Sequence, residues 1–345
     1  GGFFLLYAVN FILSYIEFYN RQHGFPMPGL INTAPPFILL HGPVLWFYIK
    51  SLTDQNFRFR SKYVLHFFPF LIMVTVLWKT FYSLAVPQKI DIISTESFTS
   101  YFSYKMFVVL IAISTLGYFS WGLVLVKRYK RKIKTYFSHI EHIDLSWLHI
   151  LLIAAIIVYG VVNITYILDL FIPIADFGVL QFLSFLFGAV YIVFLGFFGL
   201  RQGNLFATQK LNLNLENAIQ YLPTKQSLPD KEKNFISTLQ KYMQTHKPYL
   251  NPGLNIGKLS KELDVTPEYL SKIINSRLNK NFFDFINQYR VEEFKQKCGE
   301  RNNQNITLIG LAYDCGFNSK ATFNRVFKNM TGSTPSAYYS EVSGK

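Results

Sequence analysis

Six long runs of apolar residues, almost free of charge, fill the first 200 residues of this 345-residue chain. They are Gly2 to Ile16, Thr33 to Ile49, Tyr63 to Trp78, Met106 to Val126, Leu148 to Leu168 and Phe177 to Leu200. A helix needs about 20 apolar residues to cross a bilayer, whereas a soluble core helix needs only one apolar stripe. Six such runs packed together in water would leave almost no polar surface. They predict a polytopic bundle of transmembrane helices over residues 1–200. Lys50 and Lys79 end two of the shorter runs, where their stems can snorkel to the headgroups. The chain opens on Gly1-Gly2-Phe3 without a basic leader or a small-residue cleavage site, so the expectation is a fragment starting within or just before a membrane helix, not a signal peptide.

Composition agrees once it is divided. Half of the chain is apolar and only 16% is charged, against about 25% in soluble domains. The deficit lies in the first 200 residues. Basic residues gather in alternate loops: Lys50, Arg58, Arg60 and Lys62, then Lys127, Arg128, Lys130, Arg131, Lys132 and Lys134, then Arg201. The intervening loops hold Arg21, Lys89 and, between Ile172 and Asp176, none. This bias predicts basic loops and C-terminus on the cytoplasmic side of the cell inner membrane. The net charge of +14 suits an anionic partner, either lipid or nucleic acid.

Chemistry within the apolar half is sparse. Asn163 lies mid-helix and Asp169 near a helix end; both are possible sensor residues, because polar groups in a bilayer face the bundle interior. Asn163 could equally make an interhelical hydrogen bond, and Asp169 could be solvated at the interface. His139 and His142 lack a third ligand and read as solvated loop residues. Cys298 and Cys315 read as buried free thiols. No catalytic motif, metal site or cofactor site is predicted, and the chain does not read as an enzyme.

Residues 201–230 change character. Asn212, Asn214 and Asn217 precede Pro223 and Pro229, which break helices. A short helix near Leu213 to Leu222 and then a flexible joint are expected. From residue 231 helical signals return. Phe235, Ile236, Leu239, Tyr242 and Met243 keep helical spacing. After Leu254 to Leu263, Thr266 is a helix cap, Pro267 suits the first helical position, and Leu270, Ile273 and Ile274 turn inward. Residues 256–275 thus form one helix-turn-helix. Asn281 caps a longer helix, Phe282 to Cys298, and Asn302, Asn303 and Asn305 form a loop. The pattern repeats over 306–330, with Gly316 in the turn, Asn318 or Ser319 as cap, Phe323, Val326 and Phe327 inward, and Gly332 ending the helix. Pro335 opens a last short helix. The whole is all-α: a membrane bundle, a linker, and a seven-helix module over 231–345.

The run Leu259-Ser260-Lys261-Glu262-Leu263-Asp264-Val265-Thr266-Pro267-Glu268-Tyr269-Leu270-Ser271 resembles the first helix-turn-helix of AraC/XylS-type transcription regulators. Gly316-Phe317-Asn318-Ser319-Lys320-Ala321-Thr322-Phe323-Asn324-Arg325-Val326-Phe327-Lys328, with Gly332 to Pro335, resembles the second. Asn275 and Phe282 to Asn287 resemble the form common in Bacteroidetes, often fused to membrane segments. The resemblance covers roughly 235–341 and implies sequence-specific binding of double-stranded DNA.

Residues 231–345 hold 17 Lys and Arg against 10 Asp and Glu, a net of +7. Phosphate attraction supplies affinity, and side chains at base edges supply specificity. The outward N-terminal residues of the two recognition helices are Glu268, Ser271 and Lys272, and Lys320, Ala321, Asn324 and Arg325. These also match the base-facing positions of the family. Arg325 suits guanine, Asn324 adenine and Ala321 a thymine methyl. Glu268 suits cytosine, or caps its helix. The connecting helix would hold the two readers about one DNA turn, roughly 34 Å, apart, so a homodimer is permitted but not required. The combination predicts a membrane-tethered transcription regulator answering an unknown signal ligand or membrane partner. The alternative is a membrane transporter or enzyme with an accessory DNA-binding tail.

Overall fold

The computed structural model describes residues 2–54, 57–141, 143–172, 174, 176–201, 229–299 and 306–343. The expected linker helix at 213–222 and the loop at 302–305 lie outside these. Among the described residues there is no β-strand, only one isolated antiparallel bridge between Phe137 and Asn255. The helices fall into two compact units, residues 1–128 with 145–202, and residues 129–144 with 203–345.

The first unit contains α1 (Gly2–Gln22), α2 (Pro35–Thr53), α3 (Phe68–Leu77), α4 (Val86–Ser94), most of α5 (Phe102–Lys134), α6 (Ser146–Asp169) and α7 (Phe177–Arg201). A helical segment coincides with each of the six apolar runs. Five are long and apolar enough to cross a membrane; α2, with Pro43 inside it, is not among them. α3 is extended by a 3-10 turn before it and a π turn after it, giving one helical stretch over Ser61–Tyr82. α5 differs most from expectation. The basic stretch 127–134 continues it as helix instead of forming a loop. Lys and Arg are good helix formers, and cations are favoured at a helix C-terminus by its dipole.

Burial along α1 is partly inverted. α1 buries Asn10, Ser14, Glu17 and Asn20 on one face and exposes Leu5, Ile12, Tyr15 and Phe18 on the other. The buried face makes specific bonds: Asn10 Nδ2 donates to the Ala34 carbonyl at 2.9 Å, and the Asn32 N–H donates to Glu17 Oε2 at 2.7 Å. α7 leaves Phe182, Val193 and Phe194 outward in the same way.

The second unit contains α8 (Pro229–His246), α9 (Ile256–Glu262), α10 (Pro267–Ser276), α11 (Phe282–Cys298), α12 (Leu308–Asp314), α13 (Lys320–Thr331) and α14 (Pro335–Ser343). α11 is its axis. Phe282, Phe285 and Ile286 pack with Leu239, Leu259, Leu270 and Ile274 on one side. Phe283, Val291 and Phe294 pack with Leu311, Phe317, Phe323 and Phe327 on the other. One helix therefore carries both halves of the module on opposite flanks. Cys298 and Cys315 are buried free thiols in the second cluster, and burial pushes them up to about 11 and about 12 respectively.

Candidate nucleic-acid interface

Each helix pair is set by local chemistry. In the first, the Asn255 side chain accepts from Lys258 N–H at 3.0 Å and starts α9. Thr266 accepts from Tyr269 N–H at 3.2 Å and starts α10, with Pro267 at the first helical position. In the second pair, Thr307 caps α12 through Gly310 N–H at 3.1 Å, and Ser319 caps α13 through Thr322 N–H at 3.3 Å. Gly316 makes the turn between them at φ +90°. A Cβ there would lie 2.3 Å from the Tyr249 carbonyl oxygen. Gly316 therefore serves both a left-handed turn and a close approach to the first half.

The residues expected to read DNA are not equally free. On α13, Lys320, Ala321, Asn324 and Arg325 are all exposed along one face, opposite the buried Phe323, Val326 and Phe327. On α10, Lys272 is exposed but engaged: Glu232 of α8 receives Lys272 Nζ at 3.4 Å and Arg277 at 2.6 Å. Ser271 is half-buried, its Oγ accepting from Asn275 at 3.2 Å. Glu268 is also half-buried. Both of its carboxylate oxygens are shielded from solvent without a hydrogen-bond partner among the described residues, so it makes no capping bond.

Residues 129–144, the end of α5 and the stretch that leads on to α6, form a strap within this unit. Ile256 N–H donates to the Tyr136 carbonyl at 2.9 Å, and Ser138 Oγ donates to the Leu254 carbonyl at 2.5 Å. Phe137, Ile140 and Ile143 enter the second cluster, Ile140 with no exposed surface. Thr322 Oγ1, in the first turn of α13, donates to Glu141 Oε2 at 3.1 Å. Burial, and then the charge of Glu268, push the Tyr136 phenol above its usual range. The expectation of a plain solvated loop here, with His139 and His142 free in it, does not describe this stretch: His139 is half-buried, and His142 lies outside the described residues. Four apolar side chains at 133, 137, 140 and 143 give the strap a buried face.

Arg290 of α11, which sequence reasoning passed over, ties the strap to both halves. It is 1% exposed. It donates to the carbonyls of Tyr249 (2.8 Å), Asn251 (3.0 Å) and Ser138 (3.3 Å), and to Ser138 Oγ and Asn287 Oδ1. Its guanidinium lies 5.9 Å from the centre of the Phe317 ring. These partners are all neutral, and burial lowers its pKa to about 10, so it is still protonated at neutral pH. Glu293 was also missed. Burial disfavours its charge, but hydrogen bonds from Lys247 and Tyr249 outweigh that and hold it below the usual carboxylate value.

In the first unit, Asn163 is buried and donates to Thr115 Oγ1 at 3.0 Å. It also lines a cavity of about 180 Å³ with Asn10, Ser14, His41, Tyr104 and Tyr159. Ser14 Oγ, both His41 nitrogens and the Tyr104 hydroxyl are buried there without a hydrogen-bond partner among the described residues. Asp169 is not in the lining; its Oδ1 accepts from Ile174 N–H at 2.9 Å and closes the turn after α6. No group of three or more metal-ligating side chains occurs among the described residues.

Comparison with known proteins bears on the C-terminal unit. Residues 259–341 match the family described as helix-turn-helix domain. Over 128 residues the chain is 28% identical to an uncharacterized HTH-type transcriptional regulator of Staphylococcus aureus strain COL, taking in 36% of this chain and 16% of that protein. Over 110 residues it is 24% identical to the Msm operon regulatory protein of Streptococcus mutans, taking in 32% of this chain and 37% of that protein. A solved structure of a Listeria innocua protein of unknown function aligns over 31% of this chain and 95% of its own, at 24% identity and a TM-score of 0.27, too low to bear on the fold. The C-terminal module is thus a helix-turn-helix domain similar to those of transcription regulators, and the matches support a DNA-binding transcription regulator.

Proposed function

We propose that this chain is an AraC-like transcription regulator tethered to the cell inner membrane. It reads two successive major grooves with α10 and α13 from the cytoplasmic face. The observation that carries the DNA reading is α13. Its outward face presents Lys320, Ala321, Asn324 and Arg325 together, while the opposite face is locked into the core through Phe323 and Phe327. A rigid, capped helix with donors and acceptors at its N-terminal end suits major-groove readout. Arg325 and Asn324 are the base readers of this helix, Lys320 approaches phosphate, and Ala321 leaves room for a thymine methyl.

The inverted burial of α1 and the apolar outward faces of α7 support the tether. Such surfaces are stable against lipid and costly against water. The cavity beside Asn163, largely apolar but with a few unpartnered polar groups in its wall, supports a sensing role for the bundle, since buried polar groups without partners suit a ligand that completes their hydrogen bonds. The regulatory chain of events is then a signal at the bundle that changes DNA binding by the module.

Footprinting with the full chain in lipid nanodiscs tests the DNA reading. Sequence-specific protection is expected, with Arg325→Ala weakening the best site by about 5- to 150-fold (roughly 1–3 kcal/mol for a bidentate contact). No specific protection, or an unchanged best site in the variant, defeats it.

A further inference from the structure

The cavity beside Asn163 lies wholly within the first unit, and its largely apolar wall is rich in rings, among them Phe11, Phe81, Phe107, Phe177 and Phe185. Among the described residues no Lys, Arg, Asp or Glu lines it. An ionised ligand would lose its hydration there with no countercharge to replace it. The polar groups of the wall divide into two sets. Asn10, Tyr159 and Asn163 are spent on the protein: Asn10 donates to the Ala34 carbonyl, the Tyr159 and Tyr7 hydroxyls share a bond at 3.3 Å, and Asn163 donates to Thr115. Ser14 and His41, each 4% exposed, are not spent. Neither the Ser14 hydroxyl nor either His41 nitrogen has a hydrogen-bond partner among the described residues, and the Tyr104 hydroxyl shares that state. None of them has a protein hydrogen bond to give up for a ligand. The His41 ring stacks on Tyr7 with 3.9 Å between centres, so packing holds it in the wall while its nitrogens stay unused. Buried polar groups in native proteins are rarely left unpaired. Size completes the description. An apolar cavity of about 150 Å³ holds benzene; the roughly 180 Å³ here holds one ring and a substituent.

We propose that this cavity is a binding site for a small uncharged aromatic molecule with one hydrogen-bonding substituent, a phenol being the simplest case. This rests on the sensing reading above and names the class of signal. The rings of the wall pack against the ligand's ring. Its hydroxyl can donate to an unprotonated imidazole nitrogen of His41 and accept from Ser14 or Tyr104. A lipid acyl chain in the same space would leave all of these atoms unpaired. The position of the cavity says where the ligand comes from. On α2, α5, α6 and α7 the lining falls in the half next to residues 23–34, 83–101 or 170–176. Those stretches hold a single Lys or Arg, Lys89, and by the charge bias they face away from the cytoplasm. The ligand therefore enters from the far side of the membrane or from the bilayer itself.

Equilibrium dialysis of labelled phenol against the full chain in lipid nanodiscs tests the site, with empty nanodiscs of the same lipid as the blank for partitioning. Saturable binding above the blank is expected, with a Kd of about 1 mM or tighter, the range open to so few atoms. Toluene has the ring without the hydroxyl. At equal free concentration it is expected to compete at least about tenfold less well, because it leaves the polar groups of the wall unpaired. Benzoate, the charged relative, is expected not to compete. His41→Phe keeps a stacked ring and removes both nitrogens, and no protein hydrogen bond goes with them. It is expected to leave the thermal stability of the unliganded chain unchanged or raised and to erase the preference for phenol over toluene. Ser14→Ala, a smaller change in the same wall, is expected to narrow that preference several-fold, and it carries the test if His41→Phe does not fold. No saturable phenol binding above the blank, equal competition by toluene in the parent chain, or an undiminished preference in the variants overturns the site. The sensing reading is scored separately, by the affinity of the same nanodiscs, with and without phenol, for a duplex enriched by the chain from a randomised pool. Saturable phenol binding with unchanged DNA affinity upholds the site and defeats the sensing reading.

Discussion

Removing the Arg290 guanidinium should loosen the whole C-terminal unit, not one contact. The side chain supplies donors to three carbonyls, those of Ser138, Tyr249 and Asn251, none of them in an α-helix. A buried polar group left without a partner costs about 1–3 kcal/mol. Arg290→Met keeps most of the stem and deletes every donor. Water can reach some of the freed carbonyls, so the expected loss is about 3 kcal/mol, near the low end of what three orphaned groups imply. Arg290→Ala adds a cavity and should lose roughly 4–5 kcal/mol. The four tryptophans, Trp46, Trp78, Trp121 and Trp147, all lie in the first unit, so their fluorescence is a poor probe of the C-terminal unit. Amide exchange in peptides from 282–298 is the better assay. A loss of 3 kcal/mol speeds exchange on the order of a hundredfold, at 1.36 kcal/mol per decade. Protection in Arg290→Met within about 0.5 kcal/mol of the parent would refute the idea that these carbonyls depend on Arg290. Ser138→Ala removes only a hydroxyl and should lose about 1 kcal/mol.

Gly316→Ala forces a side chain into a left-handed turn and against the Tyr249 carbonyl; it should cost about 3 kcal/mol or more, read as lost amide protection over 306–330, and normal protection would contradict the packing. Glu293 has a folded-state value below its ordinary 4.5, so its contribution is present above that value and is lost as pH falls through the lower folded value. Glu293→Gln should accordingly reduce protection of 282–298 at pH 7 and converge with the parent towards pH 3, after correction for intrinsic exchange; a constant difference across the range would remove the carboxylate from the account. Glu232→Gln releases Lys272 and Arg277 from their shared acid; binding to duplex should tighten and its salt dependence steepen by about one unit per cation recruited, whereas unchanged slopes would show that neither cation reaches phosphate.

What was legible in the sequence was local. Thr266, Asn281 and Ser319 cap the helices they were expected to cap, because a cap bonds within three residues of itself. Gly316 and Gly332 take the left-handed conformation their positions suggested. The helices of the apolar half were legible from run length, since 20 uncharged residues allow few alternatives. The strap was not legible. Its apolar positions sit beside a run of Lys and Arg, and charge hid the pattern Ile133, Phe137, Ile140. Its partners lie more than 100 residues away, a separation at which spacing carries no signal. Arg290 was obscured for a related reason: an Arg in a helix is ordinarily a solvated face. Only its place between Ile286 and Val291, on the flank that faces the core, marks it. Glu232 likewise reads as surface charge until Lys272 and Arg277 are seen to converge on it.

The buried Arg290 also bears on what holds the strap in place. A cation with only neutral partners is costly to bury, and an apolar residue of similar volume is often more stable. Its hydrogen bonds use all five guanidinium donors. Those to Tyr249, Asn251 and Asn287 lie wholly within residues 229–345, and only those to Ser138 belong to the strap. The strap is therefore held mainly by its apolar side chains. Burial of Ile133, Phe137, Ile140 and Ile143 contributes roughly 6–12 kcal/mol, at about 1.5–3 each.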